Sequence, residues 1–150
     1  MRMSILKIYT DGSCLGNPGA GAAAAIFVIN NNVRFSITEG CRNTNNQIEE
    51  LRAAVIALEA VKALKLQYQL KLYTDSNYVL RGITEWISNW KRNDWRTANN
   101  QPVKHKEMWQ RFDKLYRVYK PEMIKVKGHS GDVYNDIVDE LARNCARRYK

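Results

Sequence analysis

Ile5-Leu6-Lys7-Ile8-Tyr9-Thr10-Asp11-Gly12-Ser13 is the stretch on which the fold turns. Its apolar side chains alternate with others, the period-2 signature of a half-buried strand. The alternation stops at a carboxylate followed at once by glycine, a residue that lets backbone turn sharply; an acid in that place can stand above a sheet. The pattern recurs at Leu70-Lys71-Leu72-Tyr73-Thr74-Asp75-Ser76. Two strands ending in Thr-Asp bring two carboxylates side by side. At about 4 Å such a pair repels by roughly 4 kcal/mol at an effective dielectric near 20. Something cationic has to offset that, or one of the pair takes up a proton.

What lies between the two copies decides how they pair. Asn43-Thr44-Asn45-Asn46-Gln47 is a polar loop full of potential helix N-caps. From Ile48 the period becomes helical, with Leu51, Val55, Leu58 and Val61 at steps of four, three and three. Strand, helix, strand predicts a parallel pair. Glu50 falls in the first turn of that helix, where the macrodipole favours an acid, so helix stabilisation is the ordinary role for both Glu49 and Glu50. Upstream, Gly12 to Gly21 reads as a turn-rich loop in which Pro18-Gly19 suits a type II turn. Its glycines do not make a dinucleotide loop, because that motif must open a helix and Ala24 to Ile29 reads as a buried strand. Asn30-Asn31-Asn32 is a hairpin turn into a strand from Val33 to Ile37. Three antiparallel strands therefore precede the helix.

Beyond Asp75 the pattern changes. Between Gly82 and Trp109, Ile83, Trp86, Ile87 and Trp90 form a helical stripe suited to packing, while Lys91, Arg92, Arg96, Lys104 and Lys106 surround Trp95. Cations interleaved with aromatics suit a nucleic-acid backbone; a solvated basic face over a small core is the equal alternative. Met108, Phe112, Leu115, Tyr116 and Tyr119 mark an amphipathic helix closed by Pro121. A short strand (Met123 to Val126), a Gly128-His129-Ser130-Gly131-Asp132 loop and a last helix from Val133 to Arg148 follow, its core stripe being Val138, Leu141, Ala142, Cys145 and Tyr149.

The 150 residues predict one domain, 1–150, with a core large enough to fold alone. Lys and Arg number 24 against 15 acids, a formal charge of +9 that points weakly to a polyanion. The 3 cysteines, Cys14, Cys41 and Cys145, have no Cys-x-x-Cys spacing, which argues against a disulfide framework or structural zinc and for a reducing compartment. The longest apolar run, Ala22 to Ile29, is far too short to span a membrane, and the chain enters a strand too early to leave room for a signal peptide. A cytoplasmic protein without membrane contact is expected.

Asp11, Glu50, Asp75 and Asp139 are the acids that a strand-and-helix sheet could gather, although each alone has an ordinary structural explanation. Oxygen-only ligands select hard ions such as Mg²⁺ or Mn²⁺. Two such ions about 4 Å apart suit in-line displacement at phosphorus. A metal-dependent nuclease is the hypothesis this chemistry reaches.

The motifs Tyr-Thr-Asp11-Gly-Ser, Asn46-Gln47-x-x-Glu50-Leu, Tyr-Thr-Asp75-Ser, Val-Lys-Gly-His129-Ser-Gly and Asp139-Glu-Leu-Ala resemble the type I branch of ribonuclease H, in the family's order and over essentially the whole chain. The resemblance implies an α/β fold: a five-stranded mixed sheet, three antiparallel strands then two parallel, flanked by helices. It implies cleavage of the RNA strand of an RNA–DNA hybrid, leaving 5′-phosphate and 3′-hydroxyl ends. It also implies two Mg²⁺ ions, with Mn²⁺ as a substitute, held by Asp11, Glu50, Asp75 and Asp139. Glu50 fits the family spacing without a gap; Glu49 would preserve Asn45-Asn46 but break the helix register. His129 falls in the loop where the family's histidine assists proton transfer or product departure. By the same resemblance Cys14, Asn17, Asn46, Gln47 and Asn77 line the hybrid, reaching minor-groove edges and the 2′-hydroxyls that distinguish RNA from DNA. The Trp-rich basic segment, with Trp86, Lys91, Trp95 and Lys104, resembles the protrusion that clasps the DNA strand in some members. His105 departs from the amide that relatives often carry there. A monomeric, free-standing enzyme is expected. The rivals are a hybrid-binding module without catalysis and a phosphotransferase of related topology.

Overall fold

The computed structural model describes residues 3–127 and 132–150, so the expectation for His129 lies outside the described residues. Strands β1 (Ile5–Cys14), β2 (Gly19–Ile29) and β3 (Asn32–Thr44) form an antiparallel meander. Helix α1 (Asn46–Ala63) then crosses over to β4 (Gln69–Thr74), which lies parallel to β1. Strand β5 (Glu122–Lys125) adds parallel to β4, giving a five-stranded sheet of order β3-β2-β1-β4-β5. The mixed sheet with its antiparallel and parallel halves is the one the sequence predicts. The β2–β3 connection is a two-residue turn in which Asn30 and Asn31 both take positive φ, 51° and 63°. Asparagine tolerates that conformation, and it matches the right-handed twist of the flanking strands.

The strands run longer than the periodicity suggests. β1 passes through Asp11 to Cys14, and β2 begins at Gly19, so the expected loop from Gly12 to Gly21 shrinks to the bend at residues 15–18. The type II turn expected at Pro18-Gly19 does not form, because Gly19 already belongs to β2 and does not take the positive φ that turn requires. The reason for the longer strands is burial on both sides. On one face Leu6, Ile8, Ala25, Phe27, Leu70 and Leu72 pack against Leu51, Ala54, Val55, Leu58 and Val61 of α1. On the other, Tyr9, Ala24, Ile26 and Val28 pack against Val138 and Ala142 of α5 (Val133–Arg147). A central strand covered on both faces reads as a continuous apolar run, which is what Ala22 to Val28 is.

After β4 the chain runs through three consecutive helical segments: α2 (Asn77–Arg81), a π turn (Gly82–Trp86) and α3 (Ile87–Arg92). The missing Cβ of Gly82 leaves the space that the indole of Trp109 fills, on α4 (Lys106–Tyr119). Trp109 is fully buried; its Nε1–H donates to Tyr78 Oη at 2.9 Å, and its ring meets Trp90 edge-on with centroids 5.5 Å apart. Trp86 and Trp95 flank Trp90, each 5.9 Å from it. α4 ends at Tyr119 with Lys120 as its left-handed C-cap, directly before Pro121, the expected stop.

Candidate active site

Two features of the sheet put acids together. The parallel register pairs Tyr9 with Tyr73, and their rings stack at 4.2 Å and 5°. Asp11 and Asp75 each lie two residues further along, Asp11 within β1 and Asp75 one residue past the end of β4. This is also where the strand order reverses, the crevice that open α/β sheets use for ligands. Asp11 is buried inside β1 rather than poised at its end, a correction to the sequence-based expectation.

Glu50 comes from above. Asn45 caps α1, its side chain accepting from Ile48 N–H at 3.0 Å, and the helix starts at Asn46. The first-turn acid is therefore Glu49; Glu50 stands at the start of the second turn, beyond the position expected for it. Gly12 lets the helix come this close: a Cβ there would lie 2.4 Å from the Glu49 carbonyl carbon and the Glu50 nitrogen, closer than atoms can approach. The two adjacent glutamates then diverge. Glu49 turns into the protein, accepting from Thr44 Oγ1 at 3.1 Å and from Arg52 Nε at 3.0 Å, while Arg52 also reaches Glu39 at 3.0 Å. Glu50 turns to the sheet end, where Asp11, Glu50 and Asp75 each offer a carboxylate oxygen within 4.8 Å of the others.

Asp139, on α5, adjoins Asp11 but stands outside that three-acid group; its Oδ2 pairs with Arg143 at 3.1 Å. The electrostatics record the crowding. Burial above all, then the charge of Asp75 and the neighbouring Asp139, pushes the Asp11 carboxyl up to about 8. Burial, followed by Asp11 and Asp75, holds Glu50 well above the ordinary carboxylate range, against a lowering contribution from the Gly12 backbone. Glu50 Oε2 is buried and has no hydrogen-bond partner among the described residues. Converging carboxylates with an orphaned buried oxygen fit hard divalent cations, which would satisfy that oxygen and hold the acids ionised.

Four of the expected hybrid-facing residues share one place. Asn17, Asn46, Gln47 and Lys104 line a depression of about 390 Å³ with Pro18 and Asn45. Asn17 Oδ1 accepts from Asn46 N–H at 3.1 Å, tying the β1–β2 bend to the start of α1. The other expected contacts have partners within the protein. The Cys14 thiol lies within hydrogen-bond reach of the carbonyls of Gly16, Gly19 and Thr44, where its single S–H joins the bend to the end of β3. Lys91 pairs with the buried Asp113 at 2.8 Å, and Trp86 and Trp95 are half-buried in the tryptophan cluster. Asn77 is exposed and accepts from Lys125 Nζ at 2.7 Å. His105 takes φ 60° and carries a buried Nε2 with no hydrogen-bond partner among the described residues; burial, then Lys104, lowers its pKa. Sequence reasoning passed over Lys125, since a lysine at the end of a short strand carries no motif.

In shape the molecule is an RNase H-like fold. It superimposes on LC9-RNase H1, described as a type 1 RNase H with the type 2 active-site motif, with a TM-score of 0.81 over 100% of this chain and 75% of that one, at 22% identity. It superimposes also on the foamy viral protease-reverse transcriptase in complex with RNA/DNA hybrid, with a TM-score of 0.84 over 97% of this chain and 20% of that one, at 18% identity. The sequence is more specific than the shape. The RNase H family profile matches residues 3–147. The ribonuclease H of Edwardsiella ictaluri is 45% identical over 141 residues, which is 94% of this chain and 89% of that protein. The chain belongs to the RNase H family and is a nuclease.

Proposed function

We propose that this protein is an endonuclease that hydrolyses the RNA strand of RNA–DNA hybrids, giving 5′-phosphate and 3′-hydroxyl ends, and that it works as a single catalytic domain and a monomer. The observation that carries the reading is the convergence of Asp11, Glu50 and Asp75 at the sheet's switch point, in a chain of this family. Two divalent cations, Mg²⁺ or Mn²⁺, are the cofactors that such a donor set suits, with Asp139 adjoining as fourth ligand. Bound there, the cations supply Lewis-acid polarisation of the attacking water and the scissile phosphate and stabilise the leaving oxygen.

The chain's own residues do the rest. Asp11, fixed inside β1 by its pairing with Ala24 of β2, gives the cluster a rigid centre. Glu50 and Asp75 close on it from the helix and the neighbouring strand. The depression lined by Asn17, Asn46, Gln47 and Lys104 seats the hybrid: amides face the minor groove and its 2′-hydroxyls, and the ammonium takes a phosphate. The excess of positive charge draws the polyanion in. His129, outside the described residues, is assigned proton transfer or product departure by its motif alone. The test is a cleavage assay on labelled hybrid, double-stranded RNA, double-stranded DNA and single strands, with Mg²⁺ and with EDTA. Cleavage of the RNA strand of the hybrid, dependent on Mg²⁺, is expected; equal cutting of all substrates, or cutting in EDTA, refutes the reading.

A further inference from the structure

We propose that Lys125 is a positioning residue for the acid cluster, acting on Asp75 through its backbone. This rests on the metal-dependent reading above and names a residue that the family motifs do not include. Lys125 is the last residue of β5, in register with Thr74, the last residue of β4. From there its ammonium donates to the Asp75 carbonyl at 2.8 Å and to Asn77 Oδ1 at 2.7 Å. Both bonds are charge-assisted and short, the stronger kind.

The place they act on is a corner. β4 stops at Thr74, and α2 begins at Asn77 with Ser76 as its cap, Ser76 Oγ accepting from Val79 N–H at 3.2 Å. Asp75 is thus a single residue between a strand end and a helix cap. On its N-terminal side Thr74 Oγ1 accepts from Ser76 N–H at 3.1 Å, and Val126 N–H donates to the Thr74 carbonyl at 2.8 Å. Lys125 supplies the next tie, across to the Asp75 carbonyl and on to Asn77. A lysine that merely neutralised the cluster needs a carboxylate oxygen; these two bonds go instead to a main-chain carbonyl and a side-chain amide, groups whose position sets the direction of the corner. The Asp75 carboxylate is left directed at Asp11 and Glu50, within the 4.8 Å that defines the cluster. The same ammonium orients Asn77, so the acid cluster and one expected hybrid contact share one anchor.

Lys125 is exposed, so replacing it leaves the core intact. Lys125→Met keeps the aliphatic stem and removes the donors; Lys125→Arg keeps donors and charge. Mg²⁺ alone is titrated into each protein by calorimetry, and steady-state cleavage of hybrid is measured across Mg²⁺ concentrations. For Lys125→Met, Mg²⁺ affinity is expected to fall about tenfold, the low end of what loss of a ligand's supporting hydrogen bond costs. The fall should appear as reduced kcat at limiting Mg²⁺, restored at saturating Mg²⁺, with an unchanged melting temperature in EDTA and recovery in Lys125→Arg. Unchanged Mg²⁺ affinity in Lys125→Met overturns the inference. A raised KM with unaltered Mg²⁺ affinity overturns it in favour of a phosphate contact. If the unsubstituted protein neither binds Mg²⁺ nor needs it for cleavage, the metal reading itself falls and this inference with it, an outcome distinct from failure of the lysine alone.

Discussion

Replacing Asp11 by Asn should stabilise the metal-free protein while destroying its activity. Two carboxylates 4.8 Å apart repel by about 3.5 kcal/mol at an effective dielectric near 20, and Asp11 faces two of them. Linkage gives a similar size. With its carboxyl raised from 3.8 to about 8, Asp11 binds a proton more tightly in the folded chain than in the unfolded one. The folded state therefore loses stability as pH rises from near 4 to near 8, by roughly 4 kcal/mol at pH 7 if the whole shift belonged to this residue. Because the acids share their protons, half of that is the more suitable figure. At 2–4 °C for each kcal/mol in a chain of this length, Asp11→Asn should melt about 4–8 °C higher than the parent in EDTA at pH 8. Amide and protonated acid are alike in charge, so the gain should vanish near pH 4. Saturating Mg²⁺ should narrow the gap by binding the parent more tightly. Thermal unfolding followed by circular dichroism from pH 4 to pH 9, with EDTA or Mg²⁺, reads all of this. A variant that melts at or below the parent in EDTA at pH 8, or gains as much at pH 4 as at pH 8, refutes the crowding argument.

Glu49→Ala should destabilise by about 1–3 kcal/mol in urea unfolding, since it strands Thr44 and half of the bonding of Arg52, yet leave Mg²⁺ affinity within about twofold. Glu50→Gln should reverse that pattern, with stability held or raised and Mg²⁺ binding by calorimetry lost. Gly12→Ala drives a methyl into the α1 backbone and should cost about 1–3 kcal/mol in urea unfolding, with cleavage falling in step because Glu50 moves with the helix. Lys104→Met should weaken hybrid binding and reduce the slope of log K against log salt by about 0.7–0.9, the signature of one lost phosphate contact, measured by fluorescence anisotropy in Ca²⁺.

The sheet and its central helix were legible because their periods are clean. Leu51, Val55, Leu58 and Val61 are all buried against the sheet, as their spacing predicts. Strand ends were less legible, because burial on both faces removes the alternation that marks a boundary: β1 and β2 run on through glycines and alanines that look like loop. Of the acids, Asp11 and Asp75 follow from the repeated Tyr-Thr-Asp. The choice of Glu50 over Glu49 needed a motif, since both fit a helix start; only the approach at Gly12 and the Thr44–Arg52 contacts decide which way each points. The basic segment was the hardest to read. Alternating Trp and Lys describes a binding face and a small aromatic core equally well, and here Trp86, Trp90, Trp95 and Trp109 contact one another while Lys91 is held by Asp113.

The stacked Tyr9 and Tyr73 rings carry a consequence for how this centre tolerates change. Neighbouring strands lie about 4.7–4.9 Å apart in any sheet, so the gap between the first and third acids is inherited from the backbone ladder and needs no tailored packing. What must be guarded is phase. An odd-numbered slip of β4 would carry Asp75 to the opposite side, whereas the aromatic pair beneath it acts as a detent against sliding. Length changes in the 64–68 connection upstream should accordingly be absorbed, while one inserted residue between Tyr73 and Asp75 should silence the enzyme outright.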